Sequence, residues 1–374
     1  MRWAIRLGLI APAVALFAFA AAASPAWFER HVDLPALSPP APSSTLTALR
    51  IGAAVAGLAL AGCALLAGRR ATPGGVARVA AALALSLGAS ELALRALHGL
   101  LPVPETRTEA RLGAPDPRTG WAFAPGRTLD LPFRRSGRVV RYSIDAHGDR
   151  APSADWKEDP ASPTLVVAGE SIASGHALQW SETFAARLGE MLRVQVVDVA
   201  VAGYGSDQAH LRALDALARF ARPTAVVTTV LPVQLSRNLR DDRPHLVLQG
   251  GALVEAPASE SRSRLRQLFA NDIPYLSETA LQRSLALTRA ILHATAAAAR
   301  ARGARPLFVV PSFGPPRPLE AHREAFVVRA LLDDLPHVVV DIDPRHALPA
   351  DDHPDAEGAR QIAIATAEAL ARAR

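Results

Sequence analysis

The sequence is poor in cysteine, lysine and aromatic residues. One cysteine, Cys63, stands among 374 residues, so a disulfide framework is excluded, and no Cys/His cluster has the spacing of a structural zinc site. Lys157 is the only lysine, and the other basic residues are arginines scattered among 35 acidic residues. Because they form no basic stripe, the net charge of +6 indicates an ordinary solvated surface, and we expect no nucleic-acid partner.

Charged residues are also scarce in three blocks near the start of the chain, and we expect residues 1–98 to be a membrane region. The blocks lie at about 3–23, 48–68 and 76–97, and a helix needs about 20 apolar residues to cross a bilayer. Two alternatives stay open. The first block also fits a cleaved signal peptide, and the third also fits an amphipathic helix on the membrane surface.

The arginines between these blocks predict the orientation of the chain. The loop 69–78 has three arginines and no acidic residue, whereas 24–50 balances two arginines with two acidic residues. By the positive-inside rule, 69–78 faces the cytoplasm and the chain after about residue 98 lies on the outer side. The sequence therefore predicts a multi-pass protein of the cell membrane, with the lipid bilayer as a partner and the C-terminal part extracytoplasmic (periplasmic).

Apolar runs of strand length alternate with amphipathic helical stretches from residue 164 to residue 374. This alternation predicts an α/β fold whose parallel sheet is covered by helices on both faces. Residues 99–163, rich in Pro, Gly and Arg, form a lead-in segment, and about 232–278 is an insertion with a hairpin that turns at Gly250-Gly251. The predicted strands are Leu165–Ala168, Val194–Val199, Ala225–Val230, Leu307–Val310 and Val338–Ile342, and the predicted helices lie near 181–192, 207–221, 279–302, 319–333 and 355–373.

Ligands of such sheets bind beyond the carboxyl ends of the strands, and polar residues of the sequence gather there. Ser171 follows the first strand, and the pair Asp351 and His353 follows the last. A serine becomes a nucleophile when a neighbouring base takes its proton, so Ser171, His353 and Asp351 are a candidate catalytic triad in which Asp351 orients His353. Individually, the serine also fits a helix cap, and the other two fit polar turn residues.

An acyl-transfer reaction also needs hydrogen-bond donors for the oxyanion. The backbone N–H groups of Ser171 and Gly203 are candidates, because both residues follow strands at the same predicted edge. Asn238 or Gln234, after the third strand, would add a side-chain amide donor. The alternative for Gly203 is a simple turn glycine, and for Asn238 a polar surface position. The set requires no metal and no cofactor.

At these positions the sequence resembles the SGNH, or GDSL-type, hydrolases. Gly169-Glu170-Ser171 corresponds to the first block of that family, Gly203 to the glycine of the second, and Asp351-Asp352-His353-Pro354 to the last. The resemblance covers about 140–374, and the Asp-x-His spacing is similar to that of the alginate O-acetyltransferase branch. Two departures stand out. Glu170 replaces the Asp of the family, and the third block lacks the Asn of Gly-x-Asn-Asp.

The resemblance implies a three-layer α/β/α sandwich with a five-stranded parallel flavodoxin-like sheet. Together with the apolar blocks, it predicts a membrane-anchored serine esterase or O-acyltransferase, acting on acyl esters of an envelope polysaccharide or lipid. Water as the acceptor of the acyl group gives an esterase, and a sugar hydroxyl gives a transferase. The rival hypotheses are a non-catalytic binding module on the same fold and a structural component of a cell-envelope assembly.

Overall fold

The chain forms two compact units in the computed structural model. One unit comprises residues 1–101 and 261–277, and the other comprises residues 102–260 and 278–374. The structure describes residues 2–24, 43–70, 81, 84–93, 105–133, 136–259, 278–313, 318–349 and 353–372.

The first unit is helical where it is described. It contains α1 (Arg2–Ala22) and α2 (Ser43–Arg70), and residues 84–93 are also helical. Arg50 of α2 donates a hydrogen bond from Nε to the carbonyl oxygen of Ala20 in α1, at 2.8 Å. Among the described residues, no helix combines the length and the apolarity that crossing a membrane requires. The three predicted spans are therefore not confirmed.

The second unit is built on a mixed sheet and two small hairpins. Its strands are β1 (Gly113–Asp116), β2 (Gly120–Phe123), β3 (Thr128–Phe133), β4 (Arg138–Ile144), β5 (Arg150–Ala151), β6 (Thr164–Ala168), β7 (Gln195–Asp198), β8 (Pro223–Thr229), β9 (His245–Gln249), β10 (Ala252–Ala256), β11 (Arg305–Phe313) and β12 (His337–Ile342). The main sheet has the order β12-β11-β8-β6-β7-β5-β4-β3, and β1-β2 and β9-β10 pair separately.

The main sheet has eight strands, so the prediction of a five-stranded sheet was wrong in its strand count. The five predicted strands are present and pair in parallel as β7-β6-β8-β11-β12, the flavodoxin-like order. Three antiparallel strands from the lead-in segment extend the sheet beyond β7, where β5 pairs through Arg150 and Asp198. They cover a strand edge whose backbone N–H and C=O groups would otherwise be unpaired.

Helices cover both faces of the parallel strands. They are α3 (Phe184–Leu192), α4 (Ser206–Arg219), α5 (Gln234–Arg237), α6 (Glu278–Ala301), α7 (Pro318–Leu332) and α8 (Ala356–Arg372), with short 3-10 helices at Glu105–Leu112, Trp180–Glu182 and Pro344–His346. One hydrophobic core lies between the sheet and α3 with α8, and another lies between the sheet and α4 with α6. The predicted helices agree with the five longer ones to within three residues at each end.

The strands at the centre of the sheet explain why the site lies at one edge. All five residues of β6 are buried, as expected for a parallel strand covered on both faces. Its neighbours β7 and β8 run in the same direction, so the loops after all three strands leave the sheet at the same edge. After the loop that follows β6 and the 3-10 helix Trp180–Glu182, α3 begins at Phe184. The Thr183 hydroxyl caps it by accepting a hydrogen bond from the backbone N–H of Ala186 at 3.1 Å.

Candidate active site

The candidate nucleophile Ser171 lies in a tight turn directly after β6. Gly169 begins the turn with φ of +152°, and a Cβ at this position would lie 2.0 Å from Thr229 Oγ1 on β8. Only glycine fits there, because the neighbouring strand occupies the space of a side chain. The turn closes where the backbone N–H of His176 donates to the carbonyl oxygen of Ser171 at 2.8 Å. The half-buried Ser171 side chain therefore lies at the carboxyl edge of the sheet.

His353 comes 182 positions later and meets Ser171 there. Its Nε2 lies 2.7 Å from Ser171 Oγ, within the range expected for a nucleophile and its general base. The backbone on either side is held in place, because Leu348 N–H donates to the carbonyl oxygen of His353, and Asp355 N–H to that of His346, each at 2.8 Å. The Asp355 carboxylate then caps α8 by accepting two backbone N–H groups of its first turn at 2.8 Å.

The third member of the predicted triad is not within the described part of the chain. Asp351 and its neighbour Asp352 lie in the gap between residues 349 and 353. A contact between the Asp351 carboxylate and the second ring nitrogen of His353 therefore stays a prediction. It depends on their separation of two positions in one loop.

The predicted oxyanion donors are the backbone N–H groups of Ser171 and Gly203. Gly203, exposed in the loop after β7, has φ of +84°, and Trp121 lies 3.6 Å from where its Cβ would be. In the part of the chain that the structure describes, neither Ser171 N–H nor Gly203 N–H donates to another protein group. Both remain candidate donors, as predicted from the sequence.

The side-chain amides of the third block have other hydrogen-bond partners. Asn238 is 1% exposed; its Oδ1 accepts from the backbone N–H of Ser206 at 2.8 Å, and its Nδ2 donates to Thr288 Oγ1 at 2.7 Å. Gln234, also 1% exposed, accepts from the Ser206 hydroxyl and donates to the carbonyl oxygen of Thr229. These contacts hold the start of α4 and differ from the expected oxyanion role, because both amides point into a buried network.

Glu170, which replaces the Asp of the SGNH pattern, is completely buried beside the nucleophile. Its Oε1 accepts from the Thr229 hydroxyl at 3.0 Å, and its Oε2 accepts from the backbone N–H of Ile172 at 2.8 Å. Ser171 Oγ lies 3.0 Å from the same Oε2. Burial lowers the pKa of the nearby Arg237 guanidinium, and the negative charge of Glu170 opposes that change. The longer side chain of Glu170 thus links the nucleophile turn to the end of β8.

A second histidine and a buried carboxylate lie behind His353. The His176 ring packs against the His353 ring, with centroids 4.1 Å apart and an interplanar angle of 32°. His176 Nδ1 lies 3.2 Å from Glu109 Oε2, and the Tyr142 hydroxyl bonds to Glu109 Oε1. Glu109 comes from the 3-10 helix of the lead-in segment and Tyr142 from β4, so the segment before β6 contributes directly to the surroundings of the site.

Ionisation of this cluster follows from its burial and its neighbours. Burial opposes the negative charge of Glu109, but His176, Tyr142 and the charge of His353 together lower the pKa of the carboxyl below its usual value. Burial, followed by the adjacent Glu109, raises the pKa of the Tyr142 phenol well above its usual value. Tyr142 is therefore a protonated donor and Glu109 an ionised acceptor near neutral pH.

Arg150 organises the loop that contains His176. Its buried guanidinium donates to the carbonyl oxygens of Ser174 and Leu178 and, at 2.6 Å, to that of Gly175. The same group lies over the Tyr142 ring, 3.8 Å from the centroid. A short antiparallel strand, β5, therefore fixes the loop between the nucleophile and α3.

One acidic cluster has the spacing of metal ligands but already has cationic partners. Carboxylate oxygens of Asp145, Asp149 and Glu158 lie within 4.8 Å of one another. Arg212 and Arg219 form ion pairs with Asp149, and Arg219 also approaches Glu158 at 3.3 Å. Because these arginines supply the countercharge, we assign no metal to the cluster.

Four residues that were not predicted from the sequence to lie at the site are Glu109, Tyr142, Arg150 and His176. His176 has one visible signal, because it stands five positions after Ser171 in the loop after a strand. The other three lie in a segment with weak periodicity, and their contacts with the site depend on antiparallel pairing that no local pattern predicts.

Comparisons with known proteins place similar folds among esterases and acyltransferases. An acetyl xylan esterase from Butyrivibrio proteoclasticus is 11% identical over 58% of this chain and 65% of its own, with a TM-score of 0.35. A member of the lipolytic G-D-S-L family from Veillonella parvula is 9% identical over 56% of this chain and 98% of its own, with a TM-score of 0.32. A salicylyl-acyltransferase from a tetracycline biosynthetic pathway is 13% identical over 58% of this chain and 57% of its own, with a TM-score of 0.28.

These similarities are distant. This chain spans less than two thirds of the acetyl xylan esterase. No protein-family model and no curated protein matches the sequence. The function proposed below depends on the contacts of Ser171 and His353.

Proposed function

We propose that this protein is a serine esterase or O-acyltransferase in which Ser171 is the nucleophile and His353 the general base. The observation that supports the proposal most directly is the distance of 2.7 Å between His353 Nε2 and Ser171 Oγ. Two further features agree with it. The side chains meet at the carboxyl edge of a parallel sheet, where such folds bind ligands, and two backbone N–H groups are available for an oxyanion.

The proposed reaction has two halves. In the first, Ser171 Oγ attacks the ester carbonyl while its proton passes to His353 Nε2, and the N–H groups of Ser171 and Gly203 bind the oxyanion. Collapse of the tetrahedral intermediate breaks the bond to the leaving alkoxide, which takes the proton from His353. An acyl group remains on Ser171. In the second half, water or an acceptor hydroxyl repeats these steps and frees the serine.

Asp351 completes the proposed triad. It precedes His353 by two positions, near enough for its carboxylate to accept from ring Nδ1 and to stabilise the imidazolium. The glutamate beside Ser171 does not replace it, because Glu170 Oε2 contacts the serine hydroxyl itself.

The proposed substrate is an acyl ester of an envelope polysaccharide or lipid, met on the outer side of a membrane. The location is supported by the sequence, where the second and third of the apolar blocks at about 3–23, 48–68 and 76–97 lie on either side of an arginine-rich loop. A reporter fused after residue 374 should then be active only outside the cytoplasm. A reporter active only in the cytoplasm would contradict this part of the proposal.

Hydrolysis of a small acyl ester such as p-nitrophenyl acetate by the full chain tests the proposed chemistry. We expect Ser171→Ala and His353→Ala each to lower turnover by about 1000-fold or more, because the two residues act as one unit. Ser174→Ala is the matched control in the same turn, where the Ser174 hydroxyl only donates to the carbonyl oxygen of Ser171. Turnover that is equal in all four proteins would eliminate the proposal.

A binding module without catalysis is the second candidate. The observation that favours it is the engagement of Asn238 and Gln234 in a buried network, which leaves two backbone N–H groups as the candidate donors. This candidate predicts that the full chain binds acylated polysaccharide equally well with and without Ser171→Ala and hydrolyses no ester.

A further inference from the structure

A buried stack of side chains supports the His353 ring from behind. The His176 ring contacts that of His353 at a centroid distance of 4.1 Å, and Phe133 packs edge-on against His176 at 4.9 Å. His176 Nδ1 lies 3.2 Å from Glu109 Oε2. His176 therefore contacts both the proposed general base and a carboxylate, with an aromatic ring limiting its movement.

The carboxylate in this stack is a strong source of local charge. The Glu109 side chain is 1% exposed, so water screens its charge very little. The Tyr142 hydroxyl bonds to one of its oxygens and His176 approaches the other. These contacts hold Glu109 in its ionised form, as the lowered pKa of the carboxyl also indicates.

We propose that Glu109 and His176 are positioning residues for His353. The His176 ring fixes the plane of the His353 imidazole, and the negative charge of Glu109 stabilises the imidazolium that His353 becomes during acyl transfer. This inference rests on the proposed function, and it assigns the lead-in segment before β6 a direct part in the reaction.

The direction of proton transfer determines how the charge of Glu109 affects His353. When Ser171 transfers its proton to His353 Nε2, a positive charge forms one ring away from Glu109. A buried negative charge nearby favours the charged imidazolium and makes His353 a stronger base. Removing the charge should therefore make His353 a weaker base and slow the attack by Ser171.

Several other charged or titratable groups surround the same rings. A test of Glu109 must leave these groups unchanged, because their charges also act on His353. Tyr142 approaches from β4 and stays protonated, because burial and the adjacent Glu109 raise its pKa. Arg150 of β5 lies over the Tyr142 ring, Glu170 lies on the Ser171 side, and Asp355 lies 3.5 Å from His346 in the His353 loop. Asp351 lies outside the described residues.

The test compares Glu109→Gln with wild type in the full chain, by two measurements. The first is titration of the His353 imidazole by NMR on protein labelled with 15N-histidine. We expect its midpoint to fall by about one pH unit in the variant. The second is the rate at which a fluorophosphonate probe labels Ser171 near pH 7, which we expect to fall about tenfold because the weakened base assists the attack less.

Control variants distinguish the effect of the Glu109 charge from the effect of its side-chain shape. Glu109→Asp keeps the charge and should recover most of the wild-type midpoint. Glu158→Gln removes a largely buried carboxylate from another ion-pair cluster and should change neither measurement. If Glu109→Gln does not fold, Glu109→Met takes its place, because it also removes the charge and has a side chain of similar length.

The outcomes distinguish this inference from the proposed function. An unchanged His353 midpoint in folded Glu109→Gln or Glu109→Met overturns the inference, even if wild type is labelled at Ser171. Absence of labelling in wild type overturns the proposed function, and the NMR titration then still decides whether Glu109 acts on His353.

Discussion

The Ser171 hydroxyl has one proton and two neighbouring acceptors. His353 Nε2 is the nearer at 2.7 Å, and Glu170 Oε2 follows at 3.0 Å. Glu170 Oε2 already accepts from the backbone N–H of Ile172, and its other oxygen accepts from Thr229. Since these contacts hold Glu170 in place, the position of the Ser171 side chain depends on a buried carboxylate as well as on the histidine.

Substitutions of two adjacent threonines of β8 test whether the Thr229 hydroxyl stabilises the buried Glu170 carboxylate. Thr229→Val removes the hydroxyl that donates to Glu170 Oε1 and leaves a buried oxygen without that donor. We expect the free energy of unfolding to fall by about 1–3 kcal/mol, measured by urea denaturation. Thr228→Val is the matched control, because within the described residues the buried Thr228 hydroxyl has no hydrogen-bond partner. It should be neutral or stabilising, and equal losses in both variants would contradict this account of Glu170.

Among the elements, the turn after β6 depends on how closely β8 packs against it. In Gly169→Ala the new Cβ would lie 2.0 Å from Thr229 Oγ1 and 2.8 Å from Ala173 Cβ. We expect the strands to separate locally, with a loss of more than about 3 kcal/mol in stability and loss of probe labelling at Ser171. Denaturant unfolding and labelling of the same samples measure both effects.

The control for this substitution is a glycine with free space around it. Gly250 in the β9–β10 hairpin also has a positive φ, +60°, but nothing lies within 4 Å of its added Cβ. Gly250→Ala should therefore cost only the conformational preference, about 1–2 kcal/mol, and leave labelling unchanged. If Gly169→Ala behaves like Gly250→Ala, the close approach of β8 does not determine the turn.

The parallel part of the fold could be predicted from the sequence, because each of its strands is a continuous apolar run between helical stretches. The same topology predicts that Ser171 and His353 meet, since the loops after parallel strands share one edge. The strands of the lead-in segment were harder to predict from the sequence. β5 has two residues, and β3 lies in a Pro-, Gly- and Arg-rich segment without strong periodicity. The alternation of Val139–Ile144 in the same segment is typical of a strand, and the structure has β4 there.

The roles of the amide side chains could not be predicted, because packing decides them. Asn238 and Gln234 follow the expected strand, but whether an amide faces the substrate or the backbone of a helix depends on the neighbouring elements. Here both contact residue 206 at the start of α4. In the same way, Glu109 acquires its proposed role only because β3 and β4 bring the lead-in segment against the nucleophile loop.

For the whole molecule, stability should depend on pH through a buried histidine away from the site. The Thr295 hydroxyl donates to the carbonyl oxygen of Ile291 at 2.9 Å, so His210 Nδ1 donates to Thr295 Oγ1 at 2.8 Å. Burial, with the charge of Arg118, lowers the pKa of His210 to about 4. Between this value and the unfolded value of about 6.5, the unfolded chain binds the additional proton.

His210 therefore stabilises the fold above about pH 6.5, and this contribution disappears as the pH falls toward about 4, a change of about 3 kcal/mol. His210→Asn keeps a donor near Thr295 but does not titrate. Its free energy of unfolding should depend less on pH than that of wild type in this interval, as measured by urea denaturation from pH 4 to pH 7. Identical slopes in the two proteins would contradict the assignment.

In the proposed reaction, Ser171 is a nucleophile activated by His353. The most direct measurement is mass spectrometry of the proteolysed full chain after reaction with a fluorophosphonate. We expect one adduct on the peptide that contains Ser171, its absence in Ser171→Ala, and a strongly reduced yield in His353→Ala. An unmodified Ser171 in folded wild type, or an adduct that persists in Ser171→Ala, would contradict the proposed reaction.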